Sequence, residues 1–126
     1  MTKSYRQERL NENIKELLSE LILKEIKDPR VGFVTITSVK VSSDLMMAKV
    51  YFSVMGSEED RQASRKGLAS ARNFFRRTVG DRLSLRHVPE FQFVYDDSLD
   101  KAMKIEEVLK EIKKNEPPRS GEDESE

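Results

Sequence analysis

The sequence predicts an α/β (α+β) two-layer sandwich in the order α-β-β-α-α-β, with helices on one face of a three-stranded mixed sheet. Three observations lead there. Tyr5 to Ile26 repeats apolar residues at helical spacing. Met47 to Met55 alternates apolar and polar side chains as a half-buried strand does. Two helical stretches then separate that strand from the next, Phe91 to Tyr95, which is the length of a crossover and not of a hairpin, so this pairing is expected to be parallel.

Each element follows from local chemistry. In the first helix Leu10, Ile14, Leu17, Leu18, Leu21 and Ile22 form one face, while Glu8, Glu12, Lys15, Glu16 and Glu20 lie mainly on the other. Lys24 and Lys27 suit the end where the helix dipole favours cations, and Pro29 pushes Asp28 out of helical backbone. Gly32 to Val41 is rich in β-formers, but Val34 and Ile36 fall on one face and Val39 and Val41 on the other. A bulge or a bend near Thr37-Ser38 reconciles them. Ser42-Ser43-Asp44-Leu45 has turn chemistry, which makes the first two strands a hairpin. Ser57 is the expected N-cap of the next helix, with Glu58, Glu59 and Asp60 in its first turn; that role explains the acidic trio better than a metal site does. This helix runs to about Leu68, and a second, about Arg72 to Leu83, turns Phe74, Phe75 and Val79 inward. Gly80 inside it implies a packing constraint or an early helix end. Val88-Pro89 opens the last strand, on which Phe91, Phe93 and Tyr95 share a face. Ala102 to Lys113 is a further short helix, and Asn115 onward has the composition of a disordered tail. The expected organisation is a body over 1–98, a helical extension over 99–114 and an acidic tail over 115–126.

Composition narrows the function. The chain of 126 residues has net charge zero, 37% charged residues, 7% aromatics and no cysteine, which excludes disulfides and thiolate metal sites. Met1 to Leu10 contains no apolar signal region, and no stretch approaches the ~20 apolar residues of a membrane span. A soluble, cytoplasmic protein is expected. His87 is the single histidine and reads as a loop residue; Asp96-Asp97-Ser98 reads as a turn or cap, because neighbouring strand carboxylates point to opposite faces. No phosphate loop, nucleophile elbow or metal cluster is present, so the chain is read as a non-enzyme without cofactors.

The zero net charge hides a basic window. Between Arg61 and Arg86 stand Arg61, Arg65, Lys66, Arg72, Arg76, Arg77, Arg82 and Arg86 against one acid, Asp81, a net +7. Helical spacing groups Arg65, Arg72 and Arg76, with Arg77 about 100° further round. The residues alone fit two readings equally, a surface for an anionic partner and a solvated arginine face. The same choice applies to Lys3, Arg6 and Arg9 in the first helical turn, which is either a frayed terminus or a binding surface. Ala71-Arg72-Asn73 interrupts the basic helix in its middle.

Several motifs occur together in one order: Asp28-Pro29-Arg30 before Gly32-Phe33; Thr35-Ile36-Thr37 with Val39; Val41-Ser42-Ser43-Asp44-Leu45; Ala48-Lys49-Val50-Tyr51; Leu85-Arg86 before Val88-Pro89-Glu90-Phe91; and Phe93-Val94-Tyr95-Asp96-Asp97-Ser98. On these the chain closely resembles the bacterial ribosome-binding factor A family over roughly residues 5 to 112. The resemblance implies a type II KH-like fold, order α-β-β-α-kink-α-β. It also implies a non-catalytic assembly factor that binds the free 30S subunit and 16S rRNA, assists late 16S maturation including 5′-end processing and cold adaptation, and acts as a monomer. Ribosomal proteins and a GTPase assembly factor are the further partners it implies. In the family a helix-kink-helix with an alanine at the kink replaces the KH Gly-rich loop, and that alanine maps onto Ala71. The family often has glycine two residues on; this chain has Asn73, which tolerates left-handed backbone better than other non-glycine residues. The RNA-contacting set expected from residues and resemblance together is Arg72, Arg76 and Arg77, supported by Lys66, Asn73, Arg82 and Arg86, then Lys3, Arg6 and Arg9. The remaining alternative is a protein-interaction module whose arginine face meets an acidic partner.

Overall fold

The computed structural model describes residues 5–31 and 34–115. They divide into a body, which extends to Asp96, and a second unit from Asp97 on.

In the body, helix α1 (Tyr5–Lys24) leads through a single 3-10 turn (Pro29–Val31) into strands β1 (Val34–Val41) and β2 (Met47–Val54). Helices α2 (Glu58–Ser70) and α3 (Arg72–Arg82) follow, then β3 (Glu90–Tyr95). Among the described residues the sheet has three strands in the order β1-β2-β3, antiparallel between β1 and β2 and parallel between β2 and β3. The mixed sheet expected from the long crossover is therefore present. So is the bulge: the β1–β2 register slips between Ile36 and Ser38. With one extra residue there, Ile36, Val39 and Val41 all become buried, which an unbroken alternation would forbid.

The hairpin turn is built by side chains. The Ser42 hydroxyl and the Met46 amide both donate to Asp44 Oδ1, at 2.7 and 3.0 Å, and these bonds hold the Asp44 carboxyl below the usual carboxylate range. The Leu45 amide donates to the Ser42 carbonyl at 2.9 Å. Leu45 itself has φ +64°, a left-handed conformation that costs a residue with a Cβ about 1–2 kcal/mol.

The core lies between the sheet and the helices. Ile14, Leu17, Leu18 and Leu21 come from α1, Ala48, Val50, Phe52 and Val54 from β2, and Phe75 and Val79 from α3. Phe75 packs against Phe93 of β3 with centroids 5.9 Å apart, so one ring couples the crossover to the strand it leads into. Phe74 is only partly buried, a difference from the sequence reading that put both rings inward; adjacent helical positions are 100° apart, and one of the pair has to rise toward solvent. Asn11, which periodicity alone does not mark, is a buried polar residue on the apolar face of α1. Its Oδ1 accepts the Val41 amide at 2.9 Å and so satisfies the end of β1.

The second unit begins with α4 (Ser98–Asn115), four residues earlier than its apolar pattern suggests. The Lys101 amide donates to the Asp97 carbonyl at 2.9 Å, and the Lys101 ammonium pairs with the Asp97 carboxylate at 3.5 Å. The expected tail over 115–126 lies, except for Asn115, outside the described residues. Among those described, no helix is long and apolar enough to cross a membrane.

Truncating Phe75 to Ala should cost about 3–5 kcal/mol, since the ring is fully buried, whereas Phe74→Ala should cost clearly less. Urea denaturation of the two variants measures the gap, and equal losses would overturn this division of the pair.

Candidate nucleic-acid interface

The basic window maps onto α2, α3 and the loop to β3. A capping box starts α2: the Ser57 hydroxyl oxygen accepts the Asp60 amide at 3.2 Å, and Asp60 Oδ2 accepts the Ser57 amide at 2.9 Å. The acids Glu58, Glu59 and Asp60 thus serve the helix terminus, as expected. Among the described residues no group of three His, Cys, Asp or Glu side chains is placed to hold a metal ion.

Helix α2 ends at Ala71, which has φ −91° and ψ 3°. This is the bridge region, open to any L-residue and far from left-handed backbone. The Ala71 amide still donates to the Gly67 and Leu68 carbonyls, while its own carbonyl accepts from Phe75 and begins α3. The kink expected at Ala71 is present, and Asn73 sits as the second residue of α3 without positive φ. The tolerance of asparagine for left-handed backbone is therefore not needed here. Helix α3 starts without a side-chain cap and without an acid in its first turn.

The basic side chains do not act as one row. Lys66, Arg72, Arg77, Arg82 and Arg86 are exposed. Arg76 is half-buried: Nε donates to the Pro89 carbonyl and Nη2 to that of Val88, both at 3.2 Å, with Glu90 3.7 Å away. It ties α3 to the start of β3. A Cβ on Gly80 would come within 2.7 Å of Val88, so the packing constraint implied by that glycine is the same helix–loop contact. Arg65 stands on α2, before the break at Ala71, and is exposed, with its guanidinium 6.0 Å from the Phe52 ring centroid. Arg61 lies over Tyr95 at 4.6 Å. Arg6 and Arg9 are exposed on the first turn of α1, and Lys3 lies outside the described residues. His87 is an exposed loop residue. Asp96 accepts the Thr37 hydroxyl at 2.7 Å and so links the end of β3 to β1, a long-range tie where the sequence suggests a turn or cap.

One neighbour of the kink was not singled out for its charge. The 28–31 segment docks on α2 beside Gly67, where a Cβ would meet Val31 at 2.9 Å and Arg30 at 3.2 Å. The buried Ser64 hydroxyl donates to the Arg30 carbonyl at 2.8 Å. Arg30 grips Asp28 through Nε at 3.0 Å and Nη2 at 2.6 Å, and its amide donates to the same carboxylate at 2.9 Å. The Arg30 side-chain and backbone bonds hold the Asp28 carboxyl well below the carboxylate range, at about 2. The sequence signal was Asp-Pro-Arg opposite a glycine in a helix.

The ribosome-binding factor A family model matches residues 6–109 of the chain. The chain belongs to the ribosome-binding factor A family. A ribosome-binding factor A from Geotalea uraniireducens is 50% identical over 111 residues, 88% of this chain and 91% of that protein. The crystal structure of ribosome-binding factor A from Thermus thermophilus superposes with a TM-score of 0.64 at 25% identity, covering 72% of this chain and 97% of that one. Coordinates of the Thermus thermophilus factor fitted into the cryo-EM map of a 30S–RbfA complex give a TM-score of 0.59 at 24% identity, covering 76% and 97%. The family's type II KH-like topology agrees with the four helices, kink and three-stranded mixed sheet described above. In this member the residue at the kink is a bridge-region alanine.

The Asp28 carboxyl is deprotonated more easily in the fold than in an unfolded chain, whose carboxyl titrates near ~3.9. Its contribution to stability is complete above that pH and lost as pH falls through about 2. Asp28→Asn should therefore melt lower than the native chain at neutral pH, with the gap closing between about pH 4 and pH 2. Thermal melts across that range check it, and a gap independent of pH would show that the carboxylate charge is not what Arg30 uses.

Proposed function

We propose that this family member is a non-catalytic assembly factor that binds the small ribosomal subunit through rRNA, with the surface of α2, Ala71 and α3 as its contact. The observation that carries this reading is the coincidence of three features. A net +7 gathers on one crossover of a chain with no net charge, the crossover is broken at Ala71, and the new helix starts uncapped beside Arg72. Family membership and the 30S complex named for the Thermus thermophilus relative support it. Phosphates are the natural partners of such a surface, because arginine engages them in bidentate fashion and the contacts need no base sequence.

Within this reading the exposed Arg72, Arg77, Lys66, Arg82 and Arg86 face phosphate, Asn73 adds a polar group beside the helix start, and Arg76 acts mainly by fixing the loop that carries Arg86. The body that ends at Asp96 binds rRNA, and α4 is a helical extension, which moves the boundary expected at 98/99 slightly earlier. The finer role is in late 16S maturation, including 5′-end processing and growth in the cold, by a cytoplasmic monomer that engages neighbouring ribosomal proteins and is released by a GTPase assembly factor.

Co-sedimentation with isolated small subunits, with naked 16S rRNA in a parallel lane, tests the proposal. The chain should pellet with subunits, less so as salt rises; its absence from both lanes would end the rRNA reading. Reversing Arg72 and Arg77 to Glu should abolish pelleting while the melting free energy stays within about 0.5 kcal/mol, as for other exposed positions. Arg76→Ala should instead lower stability by roughly 1–3 kcal/mol, because the Val88 and Pro89 carbonyls lose a charged donor. If the double reversal pelleted normally, the contact would lie elsewhere on the body.

A further inference from the structure

The first turn of α1, the β1–β2 turn and the loop after α3 enclose a cleft of about 700 Å³, a volume typical of small-ligand sites. Arg6 and Arg9 line it together with Tyr5, Leu10, Leu45 and Leu85, and among the described residues no acid does. In a chain with as many acids as bases, a concave site lined by two arginines and no carboxylate selects for an anion. The Arg9 guanidinium lies 5.7 Å from the centre of the Tyr5 ring, and Tyr5 is itself 74% exposed. An aromatic ring held open to solvent beside two cations is poor packing and good stacking surface.

Backbone strain converges on the same place. Among the described residues only Leu45 and Ser84 combine a side chain with positive φ, at +64° and +55°. Leu45 lines the cleft, and Ser84 is the left-handed residue of the α3 C-cap. There the Leu85 amide reaches back to the Gly80 carbonyl at 3.0 Å, so Leu85 is turned into the opposite wall. Glycine would take either conformation freely, yet both positions keep a side chain, and such outliers gather at binding sites. Leu85 also precedes Arg86, an exposed residue of the basic window, in the chain.

We propose that this cleft takes one unpaired nucleotide of an RNA strand, its base on Tyr5 and between Leu45 and Leu85, its phosphates on Arg6 and Arg9. This rests on the rRNA-binding reading and adds to it a site for single-stranded RNA, distinct from the phosphate contacts of α3. A duplex keeps its bases stacked and paired and cannot enter; a splayed-out base offers an aromatic face and a charged backbone together.

The test uses the full chain and a fluorescein-labelled single-stranded hexaribonucleotide, read by anisotropy, with the same sequence as a duplex and a polyglutamate peptide as competitors. Methyl NMR signals of Leu45 and Leu85 report occupancy. The single strand should bind and shift both leucines, and the duplex should not shift them. Tyr5→Ala should weaken hexamer binding about tenfold, in line with the loss of one stacked base. Leu45→Gly relieves the turn, so it should melt no lower than the native chain and still bind the hexamer several-fold more weakly, which separates loss of the site from loss of the fold. Unchanged hexamer affinity in both variants, equal methyl shifts from the duplex, or shifts from polyglutamate and none from RNA would each overturn the proposal. Subunit pelleting by the same variants is the separate readout: a native chain that pellets with subunits but ignores the hexamer removes the cleft and leaves the rRNA reading standing, whereas failure of both removes both.

Discussion

Strand β2 hydrogen-bonds along both edges, antiparallel to β1 and parallel to β3, and buries all four of its inward side chains, Ala48, Val50, Phe52 and Val54. A parallel neighbour cannot be reached by a hairpin, so the chain has to cross a face of the sheet between Gly56 and Pro89. That crossing is α2 and α3, and the rest of the body answers to it. Phe75 and Val79 seal α3 onto the core, Gly67 lets the 29–31 turn close on α2, and Gly80 lets Val88 close on α3. The outer side of the crossover is then a helical surface whose exposed side chains can differ in charge without disturbing the packing.

Charge count alone overstates what that surface offers. Arg61 lies over the Tyr95 ring at 4.6 Å, Arg65 is exposed but has its guanidinium 6.0 Å from the Phe52 ring, and Arg76 is engaged by two carbonyls and Glu90. The other basic residues of the window, Lys66, Arg72, Arg77, Arg82 and Arg86, are exposed around the kink and the end of α3. A fixed bend lined by exposed cations presents a preset array of charge, with less adaptability than a flexible loop would give.

Much of the fold could be read from the residues because its signals are local. Apolar spacing marked α1, alternation marked β2, Ser57 with Asp60 marked the start of α2, and the conflict between Val34–Ile36 and Val39–Val41 marked the bulge. What could not be read required knowing which segments meet. Asn11 looks like an interruption of an apolar face until the Val41 amide is seen beside it, and Arg76 looks equivalent to Arg77 until the carbonyls of Val88 and Pro89 are placed. The cleft beside Tyr5 joins segments about forty residues apart in sequence, and its strained leucine sits in a turn whose Ser and Asp residues drew the reading toward turn chemistry alone. The α3 start was legible in principle: an alanine where Ser, Thr, Asn or Asp would cap a helix, followed at once by arginine, is an uncapped terminus on paper.

The bulge at Thr37 reaches beyond register. With three strands in the order β1-β2-β3, β1 leaves one edge of its backbone unpaired by the sheet, and an unpaired edge is a template on which a second copy of a chain can add a strand. A slipped residue increases the local twist and spoils the flat repeat such growth requires, and Lys40 places a charge further along the same strand. The opposite edge is short and begins just after Pro89. The irregularity that lets three β1 side chains reach the core therefore also discourages self-association at the sheet margin.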